Sequence, residues 1–184
     1  NRSDFVPEDL ILRSYTEKNL KLSSDRYLLR PNLIGEIINH VSPQSNESIL
    51  VLPASTGYSS AIISNLAETV IAVEEDDNFI SIAEKGMNKS GINNVVVIKK
   101  KINENCLDQG PFNAIIIEGA IDYIPDQFLN QLENYGRLFA LIKKDDVTNA
   151  MLYVKNRNSI NSRFLFSCDA PKLNFFKKKN SFSF

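Results

Sequence analysis

The sequence is short of the side chains that hold metal ions or carry thiol chemistry. It has one histidine, His40, and two cysteines, Cys106 and Cys168, set far apart. These make no metal-ligand spacing, so no metal site is expected and reduced, structural thiols are the default. Long hydrophobic runs are missing too: nothing approaches the ~20 apolar residues of a membrane-spanning helix, and there is no signal-peptide pattern. A cytoplasmic protein that keeps clear of membranes is the simplest expectation. Charge of one sign is lacking, with 21 basic against 22 acidic side chains. A balanced chain offers no global field for nucleic acid or an anionic surface, which leaves small molecules and proteins as the expected partners. What is present, 184 residues of which 43% are apolar and 23% charged, is enough to bury one ordinary core.

The patterning changes twice along the chain. Residues 7–19, "PEDLILRSYTEKN", put Leu10, Ile11 and Tyr15, with Leu20 just beyond, on one stripe behind a proline, which predicts an amphipathic helix. A second helix is predicted after Pro31, where Leu33, Ile34, Ile37, Ile38 and Val41 share a face. From residue 48 short β-branched runs take over, at 48–52, 69–74, 94–99, 113–119 and 136–143, with helices predicted near 58–67, 78–89 and 125–133. Such alternation predicts βαβ units around a mostly parallel, doubly wound sheet buried on both faces. Residues 148–156 and 162–170 read as two further strands joined by the polar stretch "RNSIN", an antiparallel hairpin at the sheet edge. The tail "FFKKKNSFSF" is expected to tuck aromatics against the body and leave its lysines in water. The chain reads as one α/β domain with a helical lead-in (1–45), a βα core (46–145) and a C-terminal hairpin and tail (146–184).

Ligands of open α/β sheets bind beyond the carboxyl ends of the strands, where the first strand turns into a helix. Residues 53–58, "PASTGY", hold that place, and Glu74 ends the second strand about 20 residues later, where an acidic side chain takes ribose hydroxyls. Three uses of such a turn fail on missing residues. No tyrosine is followed four residues on by lysine, as a short-chain dehydrogenase requires. An α/β-hydrolase with Ser59 as nucleophile needs a histidine downstream, and His40 lies upstream. His40 reads instead as a helix-surface or half-buried residue. The Gly-Lys-Ser/Thr ending of a phosphate-binding loop is absent.

Several stretches together carry a likeness to one family. "RSDFVP" at 2–7 is similar to an Arg-x-x-Phe-Val-Pro opening, followed by a helix with a tyrosine, here Tyr15. "RYLLRPNLIGEI" at 26–37 stands where that family has Thr-Ile-Ser-x-Pro, with Pro31 kept, and "GYSSAII", "VIAVEED" and "GINNVVVI" lie along its cofactor motifs. "GPFNAIIIEGAIDYIPDQFLNQLENYGRL" matches its Pro-Phe-Asp-x-Ile strand, small-residue turn, Ile-Pro, Gln-Leu and Gly-Gly-Arg-Leu sequence. The chain resembles the protein-L-isoaspartate O-methyltransferases, as a divergent bacterial member. The resemblance implies a Rossmann-like class I methyltransferase fold and S-adenosylmethionine as cofactor, held over Ala54, Ser55, Gly57, Tyr58 and Glu74. It further implies isoaspartyl-containing proteins or peptides as substrate, a monomer, and a role in protein repair.

The departures fall on the same motifs. The family's Gly-x-Gly-x-Gly turn has Pro53, Ser55 and Gly57 at its glycine positions. Proline removes an amide donor, and the Cβ of Ser55 takes space where backbone and cofactor approach. In place of the acidic third motif stand Lys99, Lys100 and Lys101, which have no acceptor for an adenine amino group and read as a solvated loop. The family's active-site serine falls on Leu29, so no catalytic residue is assigned. Arg30 and Glu118 are candidates, and Arg26 or Arg30 could pair with a carboxylate, although arginines beside a helix start are more often surface charges. The coincident losses keep a second reading open, a catalytically impaired or inactive member that serves as a protein-binding or regulatory module. A methyltransferase with a changed substrate is a third.

Overall fold

In the computed structural model the described residues are 1–104, 108–157 and 159–176, so Cys106 and the lysines of the tail lie outside them. The lead-in departs from expectation. Residues 2–5 and 8–13 form two short 3-10 turns in place of an α-helix over 7–19. An apolar stripe stabilises a helix only when something covers it. No residue of 8–13 is buried, and Leu12 and Tyr15 are exposed. The Arg2 Nε donates to the Ser14 carbonyl and holds that segment in its own shape. Strands β1 (Leu20–Lys21) and β2 (Tyr27–Leu28) then pair as a small antiparallel ribbon.

Helix α1 (Pro31–Val41) forms where its period predicts, with proline at its first position and Leu33, Ile34, Ile37 and Val41 buried. The core strands follow: β3 (Ser48–Leu52), β4 (Thr69–Glu74), β5 (Val95–Lys99), β6 (Phe112–Ile121) and β7 (Leu132–Lys144). Helices α2 (Tyr58–Ile63), α3 (Asp77–Lys89) and α4 (Asp126–Asn130) connect them. Two of these helices are shorter than the sequence suggests, because Leu132 already belongs to β7 and the chain past Ile63 turns toward β4. Strands β8 (Val147–Asn156) and β9 (Ser159–Ser167) complete the hairpin. Ser159–Asn161, read as a linker, pair in the ladder.

The sheet runs β5-β4-β3-β6-β7-β8-β9, parallel from β5 to β7 and antiparallel beyond. Strand residues alternate between faces with period two. Ile49, Val51 and Ile116 meet α1 on one face, whereas Leu50, Leu52 and Ile117 meet Phe128, Leu173 and Phe176 on the other. The chain leaves β3 for β4 on one side and returns to β6 on the other. The carboxyl ends of β3 and β6 therefore form the switch point at which such sheets open a cleft.

Candidate functional site

Strand β3 runs into the turn Pro53–Gly57, whose shape is set by backbone bonds from the Ala54 amide to the Val73 carbonyl (2.7 Å) and from the Gly57 amide to the Ala54 carbonyl (2.8 Å). Two residues of the turn are left-handed, Ser55 at φ 48° and Gly57 at φ 83°. A Cβ at Gly57 would lie 2.8 Å from that of Ala83, so this glycine is required by space as well as by its dihedral. Ser55 has kept a glycine-like backbone in spite of its side chain, at a cost of about 1 kcal/mol. Ala54 and Ser55 are buried, and Tyr58 opens α2 with its ring 5.9 Å from that of Phe5.

Glu74 ends β4 at the expected place, fully buried. Its carboxylate accepts from three amides, those of Ser55 (2.9 Å), Glu75 (2.8 Å) and Asp76 (3.1 Å). The Arg26 guanidinium covers the rest, with Nη2 at 2.8 Å from Oε1 and Nε at 3.0 Å from Oε2. Arg26 is itself only 2% exposed, which corrects its reading as a surface charge. Burial opposes its charge, but the bonds to Glu74 and Glu75 prevail and raise its pKa. The ring of Phe175 closes the outer side, with its centroid 4.5 Å from the guanidinium carbon.

Glu118 lies at the carboxyl end of β6, 8% exposed. Burial pushes its pKa up to about 7, against the opposing influence of Ser59 and the Arg2 charge. Ser59 Oγ is buried and has no partner within strict hydrogen-bond geometry, and it favours the ionised Glu118 only weakly against burial. Arg2 is buried as well, its Nη2 donating to the Leu29 carbonyl at 2.7 Å and its guanidinium set over the Tyr58 ring at 4.8 Å. Leu29 packs into the core on the α1 face, and so stands as structure where the family has a serine. Arg30 points elsewhere, its Nη1 donating to the Asp169 carbonyl at 2.9 Å. Lys99 and Lys100 pair with Asp77 and Asp108, but Lys99 is the last residue of β5, in register with Glu74, and Lys100 is half-buried, which corrects their reading as a solvated loop. His40 is half-buried beside Glu36, as expected.

The chain returns to this rim after the hairpin. The Ala120 amide donates to the Pro171 carbonyl (2.8 Å) and the Leu173 amide to the Ala120 carbonyl (2.7 Å). Leu173 lies over Gly119, where a Cβ would come within 2.6 Å of its Cγ. A nucleoside here needs a free acceptor for its ribose hydroxyls and room beside the end of β6. Glu74 has given its acceptor positions to Arg26 and three amides, and Leu173 takes the room. As arranged, these residues do not fit an adenosyl group. Sequence reasoning placed Glu74, Ser55 and Gly57 at one rim correctly but missed Arg26 and Leu173 as their neighbours. Arg26 pairs across 48 residues of chain, and no local pattern signals such a contact.

Comparison with known proteins bears on the whole of this arrangement. The model for the family described as protein-L-isoaspartate(D-aspartate) O-methyltransferase (PCMT) matches residues 1–168. Curated relatives named protein-L-isoaspartate O-methyltransferase include one from Methanospirillum hungatei JF-1, 25% identical over 154 residues that span 84% of this chain and 71% of that protein. Another, from Jannaschia sp. (strain CCS1), is 26% identical over 84% of this chain and 69% of its own length. Among solved structures, a protein-L-isoaspartate O-methyltransferase superposes with a TM-score of 0.82 at 20% identity, over 95% of this chain and 58% of that one. A Plasmodium falciparum protein described as belonging to the same enzyme class, in complex with S-adenosyl-L-homocysteine, gives 0.75 at 18% identity over 95% of this chain and 86% of its own. The Rossmann-like methyltransferase fold expected from the sequence is what these structures share with it. The matched residues run from the Arg2 turn through the switch-point strands to the β9 hairpin, and on that extent the chain belongs to the protein-L-isoaspartate(D-aspartate) O-methyltransferase family.

Proposed function

We propose that this chain is an S-adenosylmethionine-dependent methyltransferase acting on isoaspartyl carboxyl groups of proteins. The observation that carries the reading is the family match over residues 1–168, which takes in the turn, Glu74 and the end of β6. In this reading Ala54, Ser55, Gly57 and Tyr58 are the turn beneath the cofactor, and Glu74 is its ribose acceptor once Arg26 gives way. In the arrangement seen, Arg26 occupies that acceptor.

Glu118 fits an anionic substrate better than its formal charge suggests. A carboxyl group that keeps its proton up to about pH 7 does not repel an incoming carboxylate. Methyl transfer to a carboxylate depends mainly on holding the nucleophile in line with the sulfonium, so the loss of a hydroxyl at Leu29 bears on rate more than on fold. The same reading makes the chain a cytoplasmic monomer whose macromolecular partners are proteins with isoaspartyl damage.

Transfer of a labelled methyl group from S-adenosylmethionine tests this directly. An isoaspartyl peptide should be labelled above a no-enzyme blank, and its ordinary aspartyl counterpart should not. Blank-level labelling of both would end the reading and leave the chain as a binding module on a methyltransferase fold.

A further inference from the structure

The family match stops at residue 168, and the segment that follows lies at the switch point. It is held there by several independent contacts. Strand β3 pairs with β6 only as far as Leu52 and Ile117; beyond that, residue Lys172 bridges in parallel to Ala120 as a substitute neighbour. Ala170, Leu173 and Phe176 are 5%, 2% and 2% exposed. Leu173 and Phe176 join the core cluster of Leu52, Val73 and Phe128, which is the cluster beneath the rim. Phe176 meets Phe128 edge-on at 5.5 Å, and Phe175 covers Arg26. Outside, Lys172 pairs with Asp122 at 2.8 Å, and Arg30 ties down the Asp169 carbonyl.

We propose that residues 170–176, with Arg26, are a built-in competitor for the cofactor cleft: docking of this segment and binding of an adenosyl ligand exclude one another. The proposal rests on the cofactor reading above. Arg26 blocks the ribose acceptor, Phe175 stacks on Arg26, and Leu173 takes the space beside Gly119, so a ligand entering the cleft must displace all three. Because the competitor is part of the same chain, its local concentration is high and constant, and ligand affinity falls by the fraction of molecules in which the segment is docked. Anything that draws the segment away raises that affinity with no change in the turn or in Glu74.

The test compares the full chain with Leu173→Ser and Phe175→Ser. The Phe175 ring is only partly buried and packs at the margin of the cluster beneath the rim, so its loss disturbs the core less if Leu173→Ser fails to fold. S-adenosylhomocysteine affinity is measured by calorimetry, and hydrogen exchange is followed at the Ala120 and Leu173 amides with and without ligand. The expected result is binding at least tenfold tighter in either variant, and loss of protection at Leu173 when ligand saturates the unaltered chain. Equal affinities, or protection at Leu173 that survives saturation, would overturn the competitor and leave the cofactor reading standing. No binding by any of the three proteins would instead take down the cofactor reading, and the competitor with it.

Discussion

Glu74 and Glu118 stand at the same rim of the sheet, both shielded from water, and they have met burial in opposite ways. Glu74 is enclosed by a guanidinium and three backbone amides. Glu118 has no such enclosure, and burial pushes its pKa to about 7. Burial without such donors favours the protonated carboxyl of Glu118. Position in the fold thus makes both candidates for function, and the supply of donors decides what each can do. Glu74 acts as a strut while Arg26 holds it, whereas Glu118 is free to change its proton near neutral pH.

The sharpest way to break this contrast is to remove the donor from Glu74. Arg26→Met leaves a carboxylate buried with its amides alone, and should cost about 3–5 kcal/mol in urea unfolding. A loss below ~1 kcal/mol would mean that the three amides satisfy Glu74 unaided. The next effect concerns Glu118. Its carboxyl is raised from 4.5 to about 7 on folding, so between those values the native state holds a proton that the unfolded chain has lost. That contribution to stability is greatest below pH 4.5, falls as pH rises through 7, and stays low above; at roughly 1.4 kcal/mol per pH unit the whole fall is about 3 kcal/mol. Glu118→Gln should flatten the stability difference between pH 5 and pH 8, and an unchanged profile would show that another group titrates. The smallest effect belongs to a pair in water. Lys99 and Asp77 lie 2.6 Å apart yet are 61% and 74% exposed, so Lys99→Ala should change stability by less than about 0.5 kcal/mol.

The parallel core was readable because its signal is local. Runs such as "SILVL" and "TVIAVE" are buried on both faces, and their β-branched character needs no knowledge of partners. The first helix of the lead-in was misread for the complementary reason: the stripe of Leu10, Ile11 and Tyr15 is a helix signal only if another element covers it, and Leu10 alone of the three packs, against Val6, Leu20 and Leu28, while Ile11 and Tyr15 stay exposed. At the site, Glu74, Ser55 and Gly57 were legible from spacing along one βαβ unit. Arg26 and Leu173 were not, since each meets the rim from a distant part of the chain, and a charge or a leucine in isolation does not announce its partner. The motif Gly-Gly-Arg-Leu gives a milder case. Its first glycine is Tyr135 here, still left-handed at φ 68°, while Arg137 reaches Glu47 through two bonds of 2.7 Å.

The left-handed Ser55 serves its neighbour. Its dihedral turns the Ser55 amide toward Glu74, 2.9 Å from Oε2, so the backbone shape of the turn is part of what keeps that carboxylate satisfied. Replacing Ser55 by glycine would relieve that dihedral at the cost of a freer unfolded chain, and would leave Arg26 on Glu74 and Leu173 over Gly119 where they are.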